Sequence, residues 1–209
     1  MIVLYLELTD KENERLNGYR EIIKGLMSAE RYQHSLAVEE QAYKLAQIHG
    51  GNITKSVTAA LLHDVAKEMR PEKQLALIGG HNVSFTESEK KEEKLWHAGA
   101  GAVYVQRHLG IKDKEIVGAI LHHTSGCANM NLTEKIVFVA DKISKDRDFE
   151  TVSEERKRAE SSLEDVIFKY VKNIVSSLIE RNMHISQKTL ETYNCYRDNT
   201  KVREISIAS

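Results

Sequence analysis

The chain has 209 residues, of which 41% are hydrophobic, 29% charged and 6% aromatic, and its 30 lysines and arginines against 31 acidic residues leave a formal net charge of −1. A chain of this size buries roughly 70% of its unfolded surface as a single domain, and its composition is far from disordered, collagenous or membrane classes and from a basic nucleic-acid scaffold. One proline and 11 glycines argue against a turn-rich β sandwich, and two cysteines cannot build a disulfide framework, so an all-α protein of the reducing cytoplasm is expected.

Residues 1–10 are read as an N-terminal arm. The run Met1–Leu6 is apolar, has no basic flank, stops at Glu7 and is far too short to span a membrane. Ile2–Leu6 instead suits a contact between two copies, a homodimer. Residues 11–185 are read as one helical domain and residues 186–209 as a C-terminal helix and tail. Within the domain, Val38, Ala42 and Leu45 recur at helical spacing from Arg31 to Ile48, with His34 on the same stripe and Gly50-Gly51 as the stop. Thr54 is a plausible cap for a helix over Ser56–Lys67, which would carry Ala59-Ala60-Leu61-Leu62-His63-Asp64-Val65-Ala66 in its centre. Pro71 suits the first turn of a short helix ending at Gly79-Gly80. A charged stretch from Thr86 to Lys94 leads to a helix over His97–Leu109, closed by Gly110. Asp113 caps the next, which places His123 on the stripe of Ile116 and Ile120, with His122 off it, and Gly126 breaks it. Thr133 opens a helix containing Ile136-Val137-Phe138-Val139-Ala140-Asp141, and two amphipathic helices follow, near Ser161–Arg181 and Ser186–Tyr196.

The chemistry lies in polar residues at core positions. Burying a carboxylate costs many kcal/mol unless it is paired or bound to a cation. His63-Asp64 alone is a weak signal, satisfied by a buried hydrogen-bonded pair. The same anomaly recurs at His34, His123 and Asp141, and His97 precedes the small run Ala98-Gly99-Ala100-Gly101 that allows close approach. Imidazoles and carboxylates together make a nitrogen and oxygen shell suited to manganese, iron, cobalt or zinc. Thr124, Ser125 and Gly126 form a loop whose hydroxyls and amides are able to meet phosphate or base. Lys67 follows His63 by one turn, and Arg147 stands six residues beyond Asp141; a guanidinium grips phosphate bidentately, as an ammonium cannot.

In this order, His34, His63-Asp64, His97, His123 and Asp141, the chain resembles the HD-domain superfamily of metal-dependent phosphohydrolases. More narrowly, the stretches Arg31-Tyr32-Gln33-His34-Ser35, Leu61 to Lys67, His97 to Gly101, Ala119 to Gly126, and Ala140-Asp141 with Arg147 and Phe149 are similar to the bacterial HD-domain symmetrical diadenosine tetraphosphate hydrolases. Where that group commonly has Glu-Pro between the late aspartate and the arginine, this chain has Ser144-Lys145. The resemblance implies a single-domain helical bundle in which His34, His63, Asp64 and Asp141 bind one divalent metal, and Asp64 bridges to a second held by His97 and His123. Iron is the implied metal, with manganese or cobalt able to substitute. Asp64, Lys67 and Arg147 are the implied catalytic set, Lys67 and Arg147 also gripping the polyphosphate, with Arg31, Thr124, Ser125, Gly126 and Arg156 as further substrate contacts. The implied reaction is attack of a metal-activated hydroxide on diadenosine tetraphosphate to give two ADP. A mononucleotide phosphatase with the same metal core, or a silent nucleotide-binding regulator, are the alternatives; neither a nucleic-acid partner nor a membrane is expected.

Overall fold

The computed structural model describes residues 5–79 and 87–207, and its elements are helices throughout. In chain order they are α1 (Asp10–Lys24), α2 (Ala29–His49), α3 (Ile53–Leu62), α4 (Pro71–Gly79), α5 (Glu87–Lys90), α6 (Glu93–His108), α7 (Lys114–His122), α8 (Leu132–Ile143), α9 (Val152–Ser161), α10 (Leu163–Glu180) and α11 (Gln187–Ile207).

Their ends follow from local chemistry. Thr9 and Glu12 form a capping box for α1, and Asn131 with Glu134 forms another for α8. Ser28, Asn52, Asp113 and Ser162 cap α2, α3, α7 and α10 through their side chains. Gly50 ends α2 at φ 67° and Gly126 turns the chain after α7 at φ 68°, the left-handed region that other residues enter only with strain. A Cβ on Gly126 would also lie 2.7 Å from Thr192 Cγ2 of α11.

The core forms where α2, α3, α7 and α8 meet. Leu45, Leu61, Leu62, Ile120, Ile136, Phe138 and Ile143 are all essentially inaccessible there. Each such side chain contributes about 1.5–3 kcal/mol by leaving water. On one side α1 leans on α3, and on the other α10 packs against α8, α9 and α11.

Several elements differ from the expectation. The helix expected over Ser56–Lys67 runs instead from Ile53 to Leu62. Asn52 is its cap, while Thr54 Oγ1 donates to Glu12 Oε1 at 2.7 Å. His63 and Asp64 therefore stand in the turn that ends the helix, where the His63 ring bonds back to the Ala60 carbonyl at 2.7 Å. Asn131 takes the capping role expected of Thr133, whose hydroxyl donates to Glu115. α9 has no counterpart in the sequence reading, because its buried residues are Val152, Glu155 and Ala159 and no continuous apolar stripe exists to see. α11 continues past Tyr196 to Ile207. Of the apolar arm, residues 1–4 lie outside the described residues; Tyr5 stacks on Tyr43 with ring centroids 4.3 Å apart, and Leu6 is exposed.

Candidate metal centre

Five elements deliver the expected ligand types to one place. α2 carries His34, the turn after α3 carries His63 and Asp64, α6 carries His97, His123 caps the end of α7, and α8 carries Asp141. All six are buried. Three donor atoms, from His34, His63 and Asp141, lie within 4.8 Å of one another, and so do three from His63, Asp64 and His123.

The outward-facing ring nitrogens fix which atoms face inward. His63 Nδ1–H donates to the Ala60 carbonyl and His123 Nδ1–H to the Ile120 carbonyl, both at 2.7 Å, and both carbonyls lie three residues earlier in the chain. His34 Nδ1–H donates to Asp146 Oδ2 at 2.7 Å. Each of these bonds turns Nε2 toward the centre, where its lone pair is placed to meet a cation. His34 Nε2 then faces Asp141 Oδ1 at 3.1 Å, and His63 Nε2 stands 3.4 Å from Asp64 Oδ2 and 3.9 Å from Asp141 Oδ1. On the other side of the aspartate, Asp64 Oδ1 is 3.3 Å from His97 Nε2 and 3.4 Å from His123 Nε2, with 3.2 Å between those two nitrogens.

Lone pairs and carboxylate oxygens thus converge without protons between them. His63 Nε2 is buried and has no hydrogen-bond partner. An orphaned acceptor of this kind is expensive in a protein interior. A divalent cation satisfies it and its neighbours at once, and a nitrogen and oxygen donor set without thiolate suits a first-row transition metal. The residues present therefore fit the implied group.

Electrostatics run the same way. The Asp64 carboxyl stays well below the usual range despite its burial. Burial likewise opposes charge on Asp141, outweighed first of all by the Lys142 ammonium beside it. Burial and the neighbouring His123 push His97 far down, so it is neutral at physiological pH, as a ligand must be.

A ring of cations surrounds the donors. Arg31 Nη1 donates to Asp64 Oδ2 at 2.9 Å, Lys142 Nζ to Asp141 Oδ2 at 2.7 Å, and Arg147 Nη2 to Asp141 Oδ1 at 2.7 Å. Lys67 Nζ lies 3.3 Å from His97 Nε2. Lys67 and His97 line an open cavity of about 650 Å³ together with Arg70 and Lys94. Arg156 sits differently. Its donors bond the carbonyls of Ile143, Ser144 and Arg147, clamping the turn that presents Arg147. In that turn Ser144 occupies a buried site and Lys145 pairs with Glu40 at 2.6 Å. Ser125 is buried with its hydroxyl on the Gly126 carbonyl, and Gly126 packs on Thr192 of α11; Thr124 is half-buried.

The structure adds two residues that the sequence pattern did not single out. Lys142 follows Asp141 directly and also donates to the His123 carbonyl at 3.3 Å. Asp146 orients His34 from five residues beyond Asp141, at a spacing that carries no helical signal because α8 ends at Ile143. Partners that orient a ligand are worth 10–100-fold in metal affinity or activity. Asp146→Asn should accordingly weaken metal binding by about that factor, measured by titrating the chelated protein. Unchanged affinity would remove Asp146 from the site.

Comparison with known proteins agrees with this geometry. The HD domain family model matches residues 31–146. The chain is 36% identical to the symmetrical bis(5'-nucleosyl)-tetraphosphatase of Bacillus subtilis (strain 168) over 172 residues, 82% of this chain and 92% of the relative. It is 32% identical to the protein of the same name from Staphylococcus aureus (strain NCTC 8325 / PS 47) over 179 residues, 85% of this chain and 92% of the relative. Among solved structures, a "predicted HD superfamily hydrolase involved in NAD metabolism" from Clostridium acetobutylicum superposes with a TM-score of 0.83 at 29% identity, covering 88% of this chain and 97% of that one. A helical frame that gathers four histidines and two aspartates in the family's order, within a family match that takes in all six, makes this chain a member of the HD-domain family, in its group of symmetrical bis(5'-nucleosyl)-tetraphosphatases.

Proposed function

We propose that the chain hydrolyses diadenosine tetraphosphate symmetrically to two ADP at this centre. The observation that carries the reading is Asp64, whose two oxygens face different donor sets: Oδ2 toward His63, and Oδ1 toward His97 and His123. That is the placement a bridging carboxylate needs, so we assign His34, His63, Asp64 and Asp141 to one ion and Asp64, His97 and His123 to a second. Iron is the proposed metal on the strength of the family resemblance, with manganese or cobalt able to substitute, and the nitrogen and oxygen donors suit all three. Two divalent cations so held supply Lewis acidity, activating water and neutralising charge on both the attacked and the departing oxygens.

The remaining residues bind and orient. A tetraphosphate carries about one negative charge per phosphate, and Arg31, Lys67, Lys142 and Arg147 gather positive charge around the donors. Arg147 holds its guanidinium plane through Asp141 O and Oδ1, at 2.9 and 2.7 Å, while Arg156 fixes the backbone beneath it. Arg147 is therefore preorganised to grip phosphate oxygens bidentately, and Arg156 is a positioning residue for it. Burial, only partly offset by Asp64, lowers Lys67 from the usual lysine range, and we assign Lys67 to the departing half. Thr124 is the member of its loop left to contact substrate. The two free cysteines, Cys127 and Cys195, suit a cytoplasmic setting. Among the described residues no helix is long and apolar enough to cross a membrane. The proposed homodimer rests on Leu6, the exposed apolar residue of the arm among those described.

The bond cleaved tests the reading. Water attacking one inner phosphorus expels the bridging oxygen at the midpoint, so ADP should be the sole nucleotide product of the early reaction. In ¹⁸O-labelled water half of the ADP molecules should carry one label. ATP with AMP, or phosphate without ADP, would reject symmetrical cleavage.

A further inference from the structure

A second donor cluster lies outside this centre. His122 Nδ1 is 2.9 Å from Glu134 Oε1 and 3.3 Å from Cys127 Sγ, and the three donors lie within 4.8 Å of one another. His122 ends α7, Cys127 stands in the following turn and Glu134 is in the first turn of α8, so the cluster closes the α7–α8 connection on itself. None of the three has a role in the reaction proposed above.

Several features suit this cluster to a cation. Glu134 is 8% exposed, and its ion-pair partner among the described residues is His122. Its other oxygen accepts the Asn131 backbone N–H at 2.8 Å, which fixes the carboxylate as partners of metal ligands do. Space for it is made by Gly118, where a Cβ would lie 2.5 Å from Glu134 Oε1. Gly126, in the left-handed region with its N–H on the His122 carbonyl at 2.8 Å, reverses the chain and brings Cys127 back to His122. A catalytic thiol is a poor account of the arrangement, since burial and the Glu134 charge push Cys127 up to about 12.

Bond lengths decide the metal class. Tetrahedral zinc with sulfur at about 2.3 Å and nitrogen or oxygen at about 2.0–2.2 Å separates its ligand atoms by about 3.3–3.6 Å. The observed 2.9 and 3.3 Å need side chains to move by only a few tenths of an ångström to reach those values. We propose that His122, Cys127 and Glu134 form a second, structural metal site that takes zinc, with water as the fourth ligand, and clips the turn that carries His123. On binding, the thiol loses its proton to solvent and the ring proton of His122 resides on Nε2; no electron is transferred.

Cobalt(II) reads this site selectively, because the six residues of the main centre include no thiolate. Chelated full-length protein titrated with cobalt should develop the near-ultraviolet absorption of a thiolate–cobalt bond, reaching the amplitude of one such bond per chain once the main centre is also filled, and in Asp64→Ala the band should saturate near one equivalent. Asp64→Ala and Cys195→Ser should keep the band, and Cys127→Ser should lose it while retaining its helical circular dichroism. Zinc should raise the melting temperature of Asp64→Ala but not of the double variant Asp64→Ala/Cys127→Ser. Should Cys127→Ser fail to fold, Glu134→Gln should shift the cobalt titration to at least 10-fold higher concentration. Absence of the band in the unaltered protein, its persistence in Cys127→Ser, its loss in Cys195→Ser, or an unmoved titration in Glu134→Gln would overturn the proposal. Each of these readouts is independent of hydrolysis, so failure here and failure of the proposed activity are distinguishable.

Discussion

Asp64→Ala is expected to abolish hydrolysis, with a loss beyond about 10³-fold, and to release most of the metal at the main centre. Losing an orienting partner of a ligand costs 10–100-fold. Asp64 does more, because both of its oxygens are engaged and, among the described residues, no other carboxylate pairs with both His63 and the His97–His123 pair. The helical fold should survive, since Asp64 lies in a turn and the surrounding apolar residues Leu61, Leu62 and Val65 stay buried. Elemental analysis, circular dichroism and turnover measured on one preparation check all three parts. Full turnover with reduced metal would show that the reaction does not need the bridging position. Asp64→Asn adds resolution: it keeps the shape and one neutral acceptor, so a loss as deep as that of alanine would assign the effect to charge rather than to space.

The six proposed ligand positions were legible in the sequence because most of them violate the apolar pattern around them, and His97 opens a run of small residues. His34, His123 and Asp141 occupy the stripes of α2, α7 and α8, and a stripe with a histidine in it is a readable anomaly. Helix boundaries at the centre were less legible. The apolar run from Ala59 to Ala66 reads as one helix, but the buried His63 ring takes the Ala60 carbonyl for its own N–H and the helix ends at Leu62. That ending lets adjacent residues, His63 and Asp64, both face inward, which a continuous helix with about 100° between neighbours does not favour. Arg156 shows the opposite limit. An arginine near a phosphate site reads as a phosphate ligand, and what the sequence does not show is that its Nε and Nη2 bond three backbone carbonyls that only the folded turn brings together. The cluster of His122, Cys127 and Glu134 was invisible for a related reason, since its spacing matches no helical or strand period and depends on the reversal at Gly126.

The largest effect on stability is expected at Arg20, which has no contact with the centre. Arg20 of α1 and Glu39 of α2 are 3% and 1% exposed, and they pair through two parallel bonds, Nε to Oε2 at 3.1 Å and Nη2 to Oε1. Burial raises the Glu39 carboxyl, and Arg20 is what opposes that rise. Arg20→Met keeps most of the apolar volume and leaves the carboxylate without its cation, so a loss of about 3–5 kcal/mol is expected at neutral pH. The pH dependence has a definite sign. With its folded-state value raised above the unfolded one, Glu39 stabilises the fold at pH below the unfolded value, and that contribution is lost as pH rises through the folded value. Removing Arg20 raises the folded value further, so the deficit of Arg20→Met should be largest near neutrality and should shrink as the solution is acidified toward the ordinary glutamate range. Urea unfolding of both proteins at several pH values measures this. A deficit under about 1 kcal/mol, or one that grows on acidification, would mean that Glu39 finds another partner when Arg20 is gone. The double variant Arg20→Met/Glu39→Leu should recover most of the loss, because two apolar side chains of similar volume remove the desolvation cost along with the pair. His34 lies on the same helix as Glu39, five residues before it, so the seating of α2 on α1 also sets the position of the first proposed metal ligand.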